Sequence, residues 1–211
     1  PWRRAVEAWA ANPAIQVLGN TTSERLSILS FVVRRPNGRY LHHNFVVALL
    51  SDLFGIQSRG GCSCAGPYGH RLLGIDIERS HEFEHEITHG CEGIKPGWTR
   101  VSFNYFISET VFQYLVAAVD LVAEHGWKLL PEYRFNAATG LWRHHHGPVE
   151  PPLRLTQLSY SPLTGELQRP PLDNVRASED ALADYLVAAR ERFAAVTDDE
   201  QLEPEQGTLS A

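Results

Sequence analysis

A stretch rich in glycine and cysteine, residues 58–71, constrains the fold of this chain more than any other part of it. It contains four glycines, two arginines, a histidine and two of the three cysteines of the protein. No helical or strand periodicity runs through it, so we predict a loop that leaves a short strand over residues 56–58. Loops on a rigid scaffold often carry chemistry. A thiol between Arg59 and Arg71 has electropositive surroundings, which favour the nucleophilic thiolate.

The cysteines of this stretch also allow less reactive roles. Most cytosolic cysteines are buried and inert, although the flanking glycines argue against a packed core position here. A zinc site formed by Cys62, Cys64, His70 and Cys91 is an alternative, but the single residue between the first two cysteines is not the usual zinc spacing. A disulfide between Cys62 and Cys64 would close a small, strained ring, so we do not expect one.

The composition indicates a globular protein and excludes several classes of partner. Of the 211 residues, 43% are hydrophobic and 21% are charged, as in ordinary globular proteins. The net charge of −6 gives no support for binding to nucleic acid or to anionic membranes. We find neither a membrane-spanning apolar run nor a signal peptide, and three cysteines do not form a secreted disulfide framework. We therefore expect a cytoplasmic location.

The start of the chain suggests that it is a piece of a longer or processed polypeptide. The sequence has no methionine, not even at position 1, and it begins within a helical pattern. We therefore expect that part of the function lies upstream of Pro1.

Hydrophobic periodicity predicts an α/β domain of the α+β type over residues 1–126. The order of elements favours a small, mainly antiparallel sheet with helices packed on one face. The predicted elements are helices over residues 2–10, 42–54, 78–91 and 109–124, and strands over residues 15–18, 26–33, 56–58 and 98–105. Alternation along the last strand places Arg100 and Ser102 on one face.

The pattern changes after residue 126. A hairpin is predicted over residues 133–143, then a proline-rich segment over residues 147–176 and a helix over residues 178–196. We treat residues 127–196 as an extension and residues 197–211 as an acidic, disordered tail. Two histidine groups resemble metal ligands, but we interpret both as solvated: His81, His85 and His89 in one, and His144, His145 and His146 in the other.

Two motifs resemble those of the class V aminotransferase family, which includes cysteine desulfurases and the sulfurases of the molybdenum cofactor. Residues 59–65, Arg-Gly-Gly-Cys-Ser-Cys-Ala, are similar to the family's R-x-G-x-x-C loop. Residues 98–106, with Arg100 and Ser102, are similar to its R-x-S-x-x-x-Y/F strand. The resemblance covers about residues 1–126. It implies the C-terminal small domain of a fold-type I enzyme that uses pyridoxal 5'-phosphate (PLP) and is typically a homodimer.

The resemblance also implies roles for three residues. Cys64 would take sulfur from the substrate cysteine as a persulfide and pass it to an acceptor protein. Arg100 would bind the substrate carboxylate, for which a guanidinium offers a planar fork of donors, and Arg59 would help to position the substrate. An aminotransferase or another amino-acid lyase with an incidental Cys64 is the alternative within the family. Alternatively, Arg100 forms an ordinary surface ion pair and has no role in substrate binding.

The chain departs from the family in its lysines. A PLP enzyme needs a lysine for the Schiff base, and this sequence has only Lys95 and Lys128. Neither follows the small residue and histidine that the family places before its PLP lysine. We therefore expect that lysine upstream, and we expect these 211 residues alone to be inactive. A non-catalytic module for dimerisation or docking is the competing function.

Overall fold

The computed structural model of the protein describes residues 1–61, 66–147, 153–171 and 177–196. The helices are α1 (Trp2–Trp9), α2 (His43–Phe54), α3 (Gly66–Leu73), α4 (Ile77–Thr88), α5 (Glu109–His125) and α6 (Leu182–Ala195). The strands are β1 (Ile15–Val17), β2 (Ile28–Val33), β3 (Arg59–Gly61), β4 (Trp98–Ser102), β5 (Tyr133–Asn136), β6 (Leu141–His144), β7 (Ser159–Tyr160) and β8 (Leu167–Gln168). Within the described residues, no helix is both long and apolar enough to cross a lipid bilayer.

The first four strands form one antiparallel sheet in the order β1-β2-β4-β3. This arrangement confirms the prediction of an α+β fold with a small antiparallel sheet. Along β2 the side chains alternate between half-buried and buried, as expected for a strand with one face on the core. Leu29 lies opposite Val101 and Phe31 lies opposite Thr99, so these pairs define the core face.

Aromatic side chains join that face to the helices. The Trp9 ring of α1 lies 5.3 Å from the Phe31 ring and 6.0 Å from the Phe103 ring, between centroids. Its buried indole N–H donates to the carbonyl of Val116 on α5 at 3.2 Å. Tilted aromatic pairs of this kind stabilise a core beyond the area that they bury. Trp9 therefore joins α1, the sheet and α5.

The sequence pattern predicted that the helices pack on one face of the sheet, but one helix lies on the other face. Trp98 is next to Thr99 in β4, so its side chain points away from the core face. Helix α3 lies against it, because a Cβ added to Gly69 would be 3.6 Å from the Trp98 ring. The prediction agrees with α1, α2 and α5, whereas α3, a helix that was not predicted, lies on the opposite face.

Three other predictions in this region need correction. Residues 56–58 are not a strand, because the edge strand β3 begins at Arg59. The predicted loop over residues 58–71 contains that strand and most of α3. The predicted strand over residues 98–105 ends at Ser102.

The segment after residue 126 packs into the same core as the sheet. The predicted hairpin is confirmed as β5 and β6, which pair from Tyr133 opposite His144 to Asn136 opposite Leu141. Trp142 of β6 and Phe193 of α6 are buried in the cluster that contains Trp9. The predicted tail, residues 197–211, lies outside the described residues.

The hydroxyl of Tyr114 connects α5 to the end of α2 through a hydrogen bond, so its removal should lower the free energy of unfolding. Its hydroxyl donates to the Phe54 carbonyl at 2.7 Å in a buried position. We expect Tyr114→Phe to lower the free energy of unfolding by about 1–2 kcal/mol, because that carbonyl loses its partner. Urea unfolding measures the change, with the exposed Tyr160 replaced by phenylalanine as the control. Equal stability of the two variants would contradict the expectation.

Candidate functional site

The edge of the sheet brings together the two arginines that the sequence motifs single out. Arg59 of β3 lies directly opposite Arg100 of β4, and Ser30 of β2 lies on the other side of Arg100. Residues directly opposite each other in an antiparallel pair project from the same face. The three side chains therefore form a row on the face away from the core.

Neither guanidinium of this pair is neutralised within the described part of the chain. Arg59 is exposed and Arg100 is half-buried, and neither has a hydrogen-bond or ion-pair partner there. Like charges directly opposite each other destabilise a sheet. An anion between them would remove that repulsion, and a carboxylate matches the donor geometry of a guanidinium. The row is therefore a candidate anion site. Within the described residues, Arg100 does not form the surface ion pair that was the alternative to a binding role.

Glycines make the position of β3 possible. A Cβ added to Gly60 would lie 2.5 Å from the Asn44 Oδ1 atom of α2, which is far too close. A Cβ added to Gly97 would lie 2.6 Å from the carbonyl carbon of Gly61. Gly61 also has a φ of 121°, in the region that favours glycine. The backbone of β3 can lie against α2 and β4 only because these side chains are absent.

The cysteines of the motif cannot be placed in this geometry. Cys62 and Cys64 belong to residues 62–65, which lie outside the described residues. The predicted roles of Cys64 as nucleophile and of both thiols as zinc ligands therefore stay predictions. The third cysteine, Cys91, is a half-buried free thiol. His70, the other residue of the possible zinc site, is half-buried on α3.

The two lysines of the chain each have a neighbour on their own segment. Lys95 forms an ion pair with Glu92, three residues earlier. The Lys128 amine lies 5.8 Å from the centre of the Trp127 ring. The expectation that the PLP lysine lies upstream stays a prediction.

The two histidine-rich segments singled out in the sequence form no metal centre within the described residues. No group of three or more potential ligand residues lies together in them. His81, His85 and His89 are exposed on α4. In the second segment, His144 lies 3.2 Å from a carboxylate oxygen of Glu132.

Two adjacent histidines at the start of α2, the half-buried His42 and the buried His43, were missed by the sequence analysis. His42 and His43 stack with ring centroids 4.3 Å apart. The Nδ1 atom of His42 accepts from the Asn44 N–H, so its Nε2 atom carries the proton and donates to the Gly93 carbonyl at 2.8 Å. His43 is only 9% exposed, and its ring nitrogens have no hydrogen-bond partner within the described residues. Adjacent histidines at a helix start were visible in the sequence, but their burial was not.

Burial keeps both rings uncharged. It lowers the pKa of His43 to about 3, and the neighbouring His42 acts in the same direction. It also lowers the pKa of His42, although the hydrogen bond to Gly93 opposes the effect. At neutral pH, His43 is therefore a neutral ring that can both donate and accept a hydrogen bond.

The fold and the site define an α+β domain with an unneutralised arginine pair at the edge of its sheet. Searches against protein-family models, curated proteins and solved structures find no match to this chain.

Removal of one arginine of the pair should not destabilise the free chain. We expect Arg100→Gln to keep or raise the free energy of unfolding, by about a few tenths of a kcal/mol, because a like-charge contact is lost. Added salt should shrink the difference, since it screens exposed charges. Urea unfolding at low and high salt measures both effects. Arg4→Gln is the control, because it removes an ion pair with Glu109 and should lower the midpoint. A similar loss in Arg100→Gln would mean that Arg100 has a structural partner.

His43 should make the protein sensitive to mild acid. The unfolded chain binds a proton on this residue as the pH falls below about 6.5, whereas the folded chain does so only near pH 3. Stability is therefore present above the unfolded pKa and is lost as the pH falls towards the folded one. Between pH 7 and pH 5 we expect wild type to lose about 1–2 kcal/mol more unfolding free energy than His43→Gln. Parallel pH profiles in urea unfolding would contradict this.

Proposed function

We propose that this chain supplies the substrate-binding and sulfur-accepting part of a class V aminotransferase-like PLP enzyme, with cysteine desulfurisation as the reaction. The direct opposition of Arg59 and Arg100 across β3 and β4 carries the proposal. The two motifs are about forty residues apart in sequence, and the resemblance alone does not require their arginines to meet. Their meeting supports a shared task.

That task is to hold the carboxylate of an amino acid. Arg100 is half-buried, so its side chain is more restricted than a fully exposed one and loses less freedom on binding. Arg59 is exposed on the edge strand and adds a second charge. An α-carboxylate between them would form charge-assisted hydrogen bonds, which are about twice as strong as neutral ones. Any α-amino acid satisfies this contact, so cysteine is selected elsewhere.

The proposed sulfur acceptor is Cys64. It follows Gly61 by three residues, so the covalent chain keeps the two Cα atoms within about 11 Å of each other. Gly61 is in the strand that carries Arg59, and a thiolate near cationic side chains is stabilised and nucleophilic. The thiolate would attack the substrate sulfur, so that an S–S bond forms as the substrate Cβ–S bond breaks. The electron pair would stay with the carbon skeleton, for which PLP would be the electron sink and which would leave as alanine after protonation.

PLP must then be held outside the residues described. Because neither Lys95 nor Lys128 follows the small residue and histidine that precede the family's PLP lysine, the proposal places the cofactor lysine upstream in a longer polypeptide. The same observation favours a second candidate, a non-catalytic module that dimerises or docks a partner. The two candidates differ in whether the complete polypeptide carries PLP.

The complete polypeptide, extended upstream of Pro1, provides the test. We expect a PLP absorbance band that borohydride reduces, and the release of sulfide and alanine from cysteine. Cys64→Ala should abolish sulfide release and keep the band, whereas Cys91→Ala should retain both. No band after PLP is supplied would favour the non-catalytic module. Wild-type sulfide release by Cys64→Ala would exclude the persulfide role.

The arginine pair has its own test in that assay. We expect Arg100→Gln to raise KM for cysteine at least tenfold, because one charge-assisted contact to the carboxylate is lost. Arg143→Gln is the matched control, since Arg143 lies opposite Arg134 in another antiparallel pair. An equal KM in wild type and Arg100→Gln would contradict the proposed carboxylate site. Activity on amino acids other than cysteine, without sulfide release, would identify an aminotransferase.

A further inference from the structure

A cavity of about 560 Å³ lies at the edge of the sheet where β2 ends and β4 begins. Its walls come from the α3–α4 region and from two segments, residues 40–43 and 94–97. His42 and His43 line it, whereas Arg59 and Arg100 do not. It is therefore separate from the candidate anion site.

Most of the wall surface is apolar. The large apolar side chains are Leu18, Val32, Leu72, Ile75, Phe83 and Ile94. Cavities of this size with apolar walls and a few polar groups are typical of small-molecule sites. The ligand should therefore have a hydrocarbon or aromatic body.

The charged side chains at the wall are all basic. They are Arg71, Arg79 and Lys95, and no lining residue is acidic. The Lys95 charge is paired with Glu92, and Arg79 lies over the Phe83 ring at 5.9 Å. Arg71 is exposed and has no partner within the described part of the chain. An anionic group near Arg71 would therefore be attracted, and a cationic group would be repelled.

His43 is the second, independent indication of a ligand. It is a polar side chain, 9% exposed and without a hydrogen-bond partner among the described residues, and it lines this cavity. Its ring nitrogens are not among the fully buried unpaired atoms of the described residues, so they are open to a ligand in the cavity. The adjacent His42 shows the contrast, since both of its nitrogens have partners. A polar atom of a ligand would give the His43 ring a hydrogen-bond partner.

We propose that this cavity binds a small amphipathic anion, a carboxylic acid with an apolar body, through Arg71 and the neutral ring of His43. The site goes beyond the proposed function and does not depend on it, because it uses neither the arginine pair nor Cys64.

Calorimetric titration of the 211-residue chain with octanoate tests the ligand class. Octanoate has a single anionic head and an apolar body, and octylammonium has the same body with the opposite charge. We expect one site with a dissociation constant below about 1 mM for octanoate, and binding at least about tenfold weaker for octylammonium. No saturable octanoate binding, or equal binding of the two probes, would overturn the proposal.

Two variants locate the site. Arg71→Gln should weaken octanoate binding about tenfold, the typical effect of one lost charge-assisted contact. Its control is Arg169→Gln, an exposed arginine in the extension after residue 126. Leu72→Trp should fill the cavity and abolish binding, whereas Val187→Trp on the exposed part of α6 should not. Wild-type binding by Arg71→Gln or by a folded Leu72→Trp would refute this location.

The ring of His43 gives a readout in the wild-type protein, with a variant used only to assign the signals. Its NMR signals, assigned with His43→Gln, should shift as octanoate is added to wild type, whereas those of the exposed His85 should not. Octanoate binding that leaves the His43 signals unchanged would exclude this cavity as the site, even if Leu72→Trp proved unfolded.

Discussion

The close approach of β3 to α2 and β4 is the constraint on which the rest of the candidate site depends. It requires that residues 60 and 97 have no side chain, because a Cβ at either one would meet Asn44 or the Gly61 backbone. The His43 ring fills the space between these two glycines, 3.2 Å and 2.8 Å from the positions of their missing Cβ atoms. Two features then follow from one packing arrangement, since β3 carries Arg59 to Arg100 while the His43 ring is enclosed beside the two glycines. The arginine pair costs stability in the free protein, as is common at functional sites.

The sequence predicted the elements whose patterns arise from local chemistry. Alternation in β4 placed Arg100 and Ser102 on the face away from the core, and the structure agrees because Thr99 and Val101 are buried. Helix α5 begins where predicted, since the Ser108 hydroxyl accepts from the Val111 N–H. These features need only neighbouring residues, so periodicity and capping rules identify them.

The errors occur where apolar or glycine residues serve a contact distant in sequence. Ile56 suggested a strand, but its N–H donates to the Leu50 carbonyl and its side chain is buried, so its apolar character belongs to the end of α2. Glycine disfavours helices, which concealed α3, yet Gly69 allows that helix to lie against Trp98. The burial of His43 is likewise a tertiary property. No local pattern contains this information, because the partner residues are far away in the chain.

The net charge of −6 would repel anions from the molecule as a whole. Attraction must therefore be local, and at the two proposed sites the unneutralised cations are Arg59 and Arg100 in one and Arg71 in the other. Trp98 and Gly69 lie in contact on the face that carries the arginine pair, and α3 continues from them to Arg71 and the cavity. The two sites share no residue, so each must attract its own ligand with its own residues. Two separate anion sites are therefore compatible with the acidic net charge of the protein. A substitution in one site leaves the charged residues of the other site in place.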